Sequence, residues 1–475
     1  MRLLVPFLIL ALALPAAAQE AATNRHLPPT VARALKAAAI PEQAVAVVVQ
    51  EVGSIFPRVD LNASRAMNPA SVMKLVTTFA ALDLLGPAYT WKTEALAGAA
   101  PADGVLAGDL ILRGSGDPSL TFEQFWLLLR QLRGRGLREI RGDLVLDRSA
   151  FAVPPHDEAA FDGKPQRPYN AGPDALLLNF KAVRLTLLPA ADGIRVLPEP
   201  APANLDIVNL VKPNGGNCGD WRDNLRADLV RHEGSHNGSF RLILTGSYAA
   251  ACGEQRWNLN LLPQSDYLLG VFRQLWAELG GSFGGTVREA ATPADARPLA
   301  SIDSPPLAEV VRNINKFSNN VMARQLFLTL GQKVGAGGTA ANAESVVRRW
   351  LEERGLRFPE LVLDNGSGLS RHERISAEST ARLLAAAWSS AVMPELMSSL
   401  PLLAVDGTLK KRQGSAAGQA HIKTGSLEGV KTLAGYVLDR RGRRQIVVFF
   451  VNHPNAAAAQ PAQDALLQWV YERGA

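Results

Sequence analysis

The sequence predicts an α/β fold in which strands from both ends of the chain share one antiparallel sheet flanked by helices, interrupted by a large β-rich insertion of one or two domains. Three observations carry this expectation. Ala44 to Val49 is a continuous Val/Ala run of strand length, and Leu433 to Leu438 and Arg444 to Val451 form two more strands around the turn Asp439-Arg440-Arg441-Gly442. Gln460 to Arg473 reads as a closing helix, so the simplest arrangement pairs the terminal strands and lays helices against them. Between about Trp91 and Asp295 short strands recur, at Gly108 to Arg113, Gly142 to Leu146, Val183 to Leu188 and Phe240 to Gly246, punctuated by Gly, Pro and Asn. The stretch Ala291 to Pro305, rich in Ala, Pro and Asp, is expected as a linker back to the first unit. The expected division is therefore 1–18 as a leader, 19–90 with 296–475 as one domain, and 91–295 as the insertion.

Composition narrows the class. With 475 residues, 47% hydrophobic and 20% charged, the chain has length for about three domains and can bury large cores. Two cysteines exclude a cysteine-rich scaffold, and without a C-x-x-C partner they supply too few ligands for zinc, so no metal is expected. The net charge of +6 and a pI near 9.4 would suit an anionic polymer. No Lys/Arg-rich block appears and aromatics are only 6%, so nucleic acid is not implied.

Met1-Arg2, an apolar run from Leu3 to Leu14, Pro15 and Ala16-Ala17-Ala18 read as a secretory signal cleaved after residue 18. The run is about a dozen residues, against the roughly twenty a bilayer needs, and no later stretch is longer, so no transmembrane anchor is expected. Outside the cytoplasm Cys218 and Cys252 can oxidise to a disulfide, with two buried thiols as the alternative.

Three short motifs carry the chemistry. Asn68-Pro69-Ala70-Ser71-Val72-Met73-Lys74 is predicted to open a helix, with Asn68 as cap, Pro69 at the first helical position and Leu75, Phe79 and Leu82 on the apolar face. At i and i+3 the Ser71 and Lys74 side chains share a face, so a neutral amine can take the hydroxyl proton, while the first-turn amide of Ser71 can face an oxyanion. Ser318-Asn319-Asn320 interrupts the apolar period of Val310, Ile314, Phe317 and Val321, putting a hydroxyl and an amide at a helix junction; an ordinary cap is the plainer reading. Lys423-Thr424-Gly425 lies in a strand-like stretch from Ala420 to Leu427. There Gly425 would let a substrate backbone approach, and Lys423 would help lower the amine pKa of Lys74 in a dry site. Each of the first two patterns is expected about once by chance, and Ser235-His236-Asn237 is a decoy of the second.

The ordered set S-x-x-K, S-x-N, K-T-G is far more specific. Here the chain resembles the penicillin-binding protein and serine β-lactamase superfamily. Ser71 and Ser318 are 247 positions apart and Ser318 and Lys423 only 105, which looks like the D-alanyl-D-alanine carboxypeptidase/endopeptidase family, the class C low-molecular-mass penicillin-binding proteins (peptidase family S13). Supporting segments are Gly114 to Leu120, Tyr169 to Pro173, Asp364 to Arg371 and Leu403 to Leu409. The resemblance implies a serine β-lactamase/transpeptidase-like domain, with Ser71 as acylated nucleophile, Lys74 as its base, and Ser318 and Asn320 relaying protons and holding the substrate amide. It implies that Lys423 and Thr424 bind the terminal carboxylate of D-alanine and that the amides of Ser71 and Ser426 form the oxyanion hole. Arg371 and Glu428 would border the pocket for the third-residue side chain of the stem peptide. Asp162 is the candidate to receive the amine of diaminopimelate, with Lys164 and Arg167 beside it departing from the family's pattern.

The implied protein is a periplasmic serine DD-peptidase without cofactor, acting on peptidoglycan stem peptides and cross-links and inhibited covalently by β-lactams; a homodimer is left open. Two other classes stand beside it: a serine β-lactamase, which would deacylate quickly, and a non-catalytic peptidoglycan-binding protein. A Ser-His-Asp hydrolase fares worse, because Gly366-Ser367-Gly368 fails the G-x-S-x-G elbow. His421, two before Lys423, is expected at the rim, and Asp117 is expected to stabilise its own turn.

Overall fold

A computed structural model describes residues 26–232 and 238–473. The leader at residues 1–18 and the Ser235-His236-Asn237 decoy lie outside the described residues. Among the described residues no helix is long and apolar enough to cross a membrane.

The terminal strands share one sheet, as their apolar runs require. Five antiparallel strands lie in the order Ala420–Leu427, Val430–Leu438, Arg444–Asn452, Val45–Glu51, Val59–Leu61. Successive residues of Val45–Glu51 feed opposite cores. Ala46 and Val48 pack with the helices Lys74–Leu85, Leu307–Phe317, Asn320–Val334, Ala340–Glu353 and Ala377–Trp388. Val45, Val47 and Val49 pack on the other face with Pro29–Ala37 and the closing helix Gln460–Arg473. Burial on both faces explains why the strand reads as an unbroken apolar run instead of an alternating one. The strand Ala420–Leu427, carrying Lys423 and Thr424, is an edge of this sheet, so its outer backbone groups are unpaired by the sheet itself.

The insertion builds its own core. A five-stranded mixed sheet runs Val287–Glu289, Leu144–Asp147, Leu110–Arg113, Lys92–Ala97, Arg297–Asp303, and further sheets pair Gln255–Asn260 with Ala182–Ala190 and Phe240–Ala249 with Leu225–Arg231. One hydrophobic cluster runs from Ala95 to Ala300 through all of these. The β-rich expectation missed two helices, Phe122–Gly134 and Gln264–Glu278. The first carries a legible signal, since Phe125, Leu128, Leu129 and Leu132 fall on one helical face and are buried. Cys218 and Cys252 form a disulfide.

The expected linker is also corrected. Arg297–Asp303 is a strand, antiparallel to Lys92–Ala97. Pro298 hid it, yet an edge strand tolerates proline, and the register shifts between Pro298 and Ala300. The chain leaves and rejoins the helical layer at one point, where Trp91 and Ser304 exchange hydrogen bonds of 3.0 and 2.8 Å.

Candidate active site

The first motif begins differently from the sequence expectation. Ala70–Met73 is a 3₁₀ turn and the α-helix starts at Lys74. Ala70 is left-handed (φ 45°), a conformation that disfavours a side chain by roughly 1–2 kcal/mol. Asn68 offsets part of that cost, because its Oδ1 accepts from the Ala70 amide at 2.8 Å, two residues on. The tight turn presents Ser71, and the i, i+3 relation holds: Lys74 Nζ donates to Ser71 Oγ at 2.9 Å. The same amine donates to Asn320 Oδ1 at 2.6 Å and to the Ser367 carbonyl.

Ser318 is the elbow between two helices. It adopts φ 57°, ψ 37° at the end of Leu307–Phe317, and Asn319, not Ser318, caps the next helix by accepting from the Met322 amide at 3.1 Å. The elbow leaves the Ser318 hydroxyl free to accept from Lys423 Nζ at 2.9 Å, while Lys423 also donates to the Thr424 carbonyl at 2.7 Å. All three motifs therefore converge. Gly425 meets a requirement that the sequence did not announce. A Cβ there would lie 2.3 Å from Thr432 Oγ1 and 2.9 Å from the Ser71 amide nitrogen, so the glycine is required by the chain's own packing of strand against the serine turn. Gly368 makes a similar approach, where a Cβ would meet the Ala70 carbonyl at 1.9 Å.

Burial sets the electrostatics. Lys74 and Lys423 are both 0% exposed. Burial drives the Lys74 amine well below its ordinary value, and the Lys423 cation pushes the same way, as the sequence reading expects; Glu373 opposes them. Burial brings Lys423 down to about 7. A neutral Lys74 beside a hydroxyl is chemically a base, so proton transfer from Ser71 is within reach.

Glu373 was not anticipated from sequence. It is fully buried, and its Oε1 accepts from the amides of Asp364, Asn365 and Gly366 at 3.3, 3.1 and 2.9 Å. This grip shapes the loop that delivers the Ser367 carbonyl to Lys74. Burial raises the Glu373 pKa despite those donors. No sequence signal marks this role, which depends on how the loop folds back onto the carboxylate. Thr408 was also missed as a contact: its hydroxyl lies 2.9 Å from that of Thr424. Asp406 anchors that segment by accepting from Lys316 Nζ at 2.9 Å and from the Leu402 amide at 2.8 Å.

The motifs open into a cleft of about 1170 Å³ whose lining includes Ser71, Ser318, Asn320, Thr424, Ser426, Arg371, Glu428 and Asp162. Arg371 donates to the Glu428 carbonyl at 2.9 Å, pairs with its carboxylate at 3.5 Å, and stacks over Phe161 at 5.0 Å. Asp162 accepts from Tyr169 Oη at 2.7 Å and Asn170 Nδ2 at 2.8 Å. His421, two before Lys423 on the same strand, is bridged to Leu402 and is half-buried. Asp117 accepts from the Ser119 amide at 2.7 Å, stabilising its own turn. Among the described residues no group of three or more His, Cys, Asp or Glu is placed to hold a metal ion.

An edge strand, a serine turn and a helix elbow meeting around two buried lysines define a class, and comparison with known proteins gives its name. The chain belongs to the D-Ala-D-Ala carboxypeptidase 3 (S13) family, whose model matches residues 27–473. It is 28% identical over 400 residues to the D-alanyl-D-alanine carboxypeptidase DacB of Haemophilus influenzae, covering 83% of this chain and 82% of that one. It is 30% identical over 424 residues to the D-alanyl-D-alanine carboxypeptidase of Actinomadura sp. (strain R39), covering 84% and 76%. Among solved structures, penicillin binding protein 4 (dacB) from Haemophilus influenzae superposes with a TM-score of 0.75 at 25% identity over 92% of this chain and 99% of that one. A predatory peptidoglycan endopeptidase from Bdellovibrio bacteriovorus shares the fold, with a TM-score of 0.52 at 16% identity, over 90% and 92%. The α/β expectation thus holds, as a transpeptidase-like domain with an added β-rich part.

Proposed function

We propose that the chain is a periplasmic serine DD-peptidase that hydrolyses the D-Ala-D-Ala end of peptidoglycan stem peptides and their D-Ala-diaminopimelate cross-links through a Ser71 acyl-enzyme. The observation that carries this reading is the 2.9 Å contact between Ser71 Oγ and a buried Lys74 amine whose pKa is depressed. Ser71 Oγ attacks the penultimate D-alanine carbonyl and its proton passes to Lys74 Nζ. The oxyanion is received by the amides of Ser71 and Ser426, on a turn and an edge strand held together by Gly425. As the tetrahedral intermediate collapses, the C–N bond breaks and Ser318, held by Lys423, relays the proton taken up by Lys74 to the leaving amine, which returns Lys74 to its neutral form. Asn320 holds the substrate amide, and Lys423 with Thr424 the terminal carboxylate. Water then attacks the ester with Lys74 again as base, releasing the shortened stem and free Ser71. In the cross-link the leaving amine belongs to the second stem, and the chemistry is otherwise the same. The 1–18 leader would deliver the chain to the wall and be removed there.

The test is the intact mass of the secreted protein, with and without a penicillin, for wild type and Ser71→Ala. One penicilloyl adduct on wild type alone is expected, in a chain lacking residues 1–18. An adduct persisting on Ser71→Ala would remove Ser71 from its role. No adduct with the antibiotic hydrolysed would make the protein a β-lactamase, and no adduct with the antibiotic intact would favour a binding protein.

A further inference from the structure

The cleft is larger than a D-Ala-D-Ala end needs, and its wall carries unmatched charge. Five cations that line it, Lys164, Arg167, Arg222, Lys411 and Lys431, have no ion-pair partner among the described residues. The first three come from the insertion and the last two from the final third of the chain, so both walls contribute. Arg222 is fixed without being neutralised: its guanidinium stacks on Trp221 at 4.5 Å and donates to the Arg256 carbonyl at 3.4 Å. The two carboxylates of the same wall are already occupied. Asp162 accepts from Tyr169, Asn170 and, at 3.1 Å, the Lys164 amide, while Glu428 is paired with Arg371. The remaining arginines of the lining, Arg256 and Arg412, pair with Glu254 and Asp464. Like charges held together in a concave wall repel one another and focus a positive potential into the cleft. Asp162 offsets part of that repulsion at Lys164 and Asp464 part of it at Lys431, and no carboxylate forms an ion pair with Arg167, Arg222 or Lys411 among the described residues; a polyanionic ligand would offset the remainder.

We propose that this wall is a recognition surface for free carboxylates of the stem peptide beyond its D-Ala-D-Ala end, making the preferred substrate an unamidated, polyanionic stem or cross-link. The inference rests on the DD-peptidase reading, and it gives the insertion a purpose: it supplies the cations, while the sheet and helices supply the reaction. A stem peptide offers carboxylates at its γ-linked glutamyl and diacid residues. Amidation of each removes one negative charge with little change of shape. Carboxylates that meet cations at a solvent-exposed wall gain modestly per pair, add over several pairs, and are screened by salt.

The experiment measures kcat/KM of the mature, full-length protein on two synthetic pentapeptide stems, one with free side carboxyls and one with the same groups as carboxamides, at low and high NaCl. The free acid is expected to be preferred by about tenfold at low salt, mainly through KM, with the preference collapsing near 1 M salt, where the screening length is about 3 Å. The charge-only variant Lys164→Gln/Arg167→Gln/Arg222→Gln should cut the preference to below about twofold. Equal kcat/KM for the two peptides on wild type at low salt would overturn the proposal, and so would a preference that the variant retains in full. The wild-type comparison stands even if the triple variant fails to fold. Penicilloyl labelling of wild type keeps the two readings apart: labelling without a carboxylate preference refutes this inference alone, and absence of labelling refutes the reading beneath it.

Discussion

Lys74 and Lys423 sit where the Lys74–Leu85 helix meets the sheet, without exposed surface, their amines held by Ser71, Asn320, Ser367, Ser318 and Thr424. Lys164 and Arg222, on the insertion's side of the same cleft, stand in solvent and form no ion pair among the described residues. The first pair is shaped by desolvation, which disfavours the charged form of an amine and lowers the pKa of both. The second is exposed, and on the proposed reading it acts at a distance through its field. The two regions differ in burial, and they should therefore respond differently to mutation, salt and pH.

The largest expected break comes from the buried side. Lys74→Ala should slow acylation by a penicillin about 100- to 10,000-fold, the range a positioned base contributes, read by stopped-flow or by the growth of the adduct mass. An unchanged acylation rate would remove Lys74 from the base role. The matching break on the insertion side is structural. Cys218→Ser with Cys252→Ser opens a loop closed over a sequence separation of 34, and should lower the insertion's stability by about 3–4 kcal/mol on the chain-entropy model. Because the insertion's core is a separate cluster from the two that flank the five-stranded sheet, calorimetry should show a lower-temperature transition for the insertion, with the penicillin acylation rate at 25 °C retained. A single shifted transition with lost acylation would mean that the two regions unfold as one.

Much of this contrast was legible in the sequence, and the reason differs by level. The terminal strands could be read because burial on both faces leaves runs such as Val45 to Val49 uniformly apolar. Ser71, Lys74, Ser318 and Lys423 could be singled out because the ordered motifs are specific, and the fold brings them together. Glu373 could not, since its role consists of accepting three backbone amides from a loop nine to seven residues upstream, a contact that depends on how the loop closes. The left-handed Ala70 was hidden for a similar reason, as nothing in an alanine announces a strained conformation that Asn68 and the packing of Gly368 impose. Lys164 and Arg167 stood out in the sequence beside Asp162, but Arg222, Lys411 and Lys431 were visible only within a net charge of +6 until the fold gathered them.

A pH profile sharpens the contrast at smaller amplitude. Lys74 must be neutral to accept the serine proton, so kcat/KM on a D-Ala-D-Ala peptide should rise with pH through a limb far below the ordinary lysine range. Lys423 must be charged to attract the terminal carboxylate, and with its pKa near 7 in the free enzyme, kcat/KM should fall again as pH climbs past about 7. Salt screens the exposed wall more than the buried lysines, so changing salt should scale the curve without moving its limbs. Limbs that shift with salt would mean that the lysines are not shielded from solvent.

The smallest and most diagnostic change is Glu373→Gln. Its amide oxygen can still accept from Asp364, Asn365 and Gly366, so the loop and the Ser367 carbonyl on Lys74 should stay in place, and only the negative charge is lost. Glu373 is the anion that favours the charged form of Lys74, so removing it should deprotonate the amine further and move the acid limb to lower pH. Acylation on that limb should then be faster by roughly a few-fold wherever the wild-type carboxyl is ionised, an interval narrowed by the rise in its own pKa on burial. Glu373→Ala, which removes both the charge and the acceptor, should instead slow acylation at every pH as the loop loosens. If the glutamine variant slowed in step with the alanine one, the charge would matter less than the carboxylate's grip, and Lys74 would owe its reactivity to burial and to Lys423 alone.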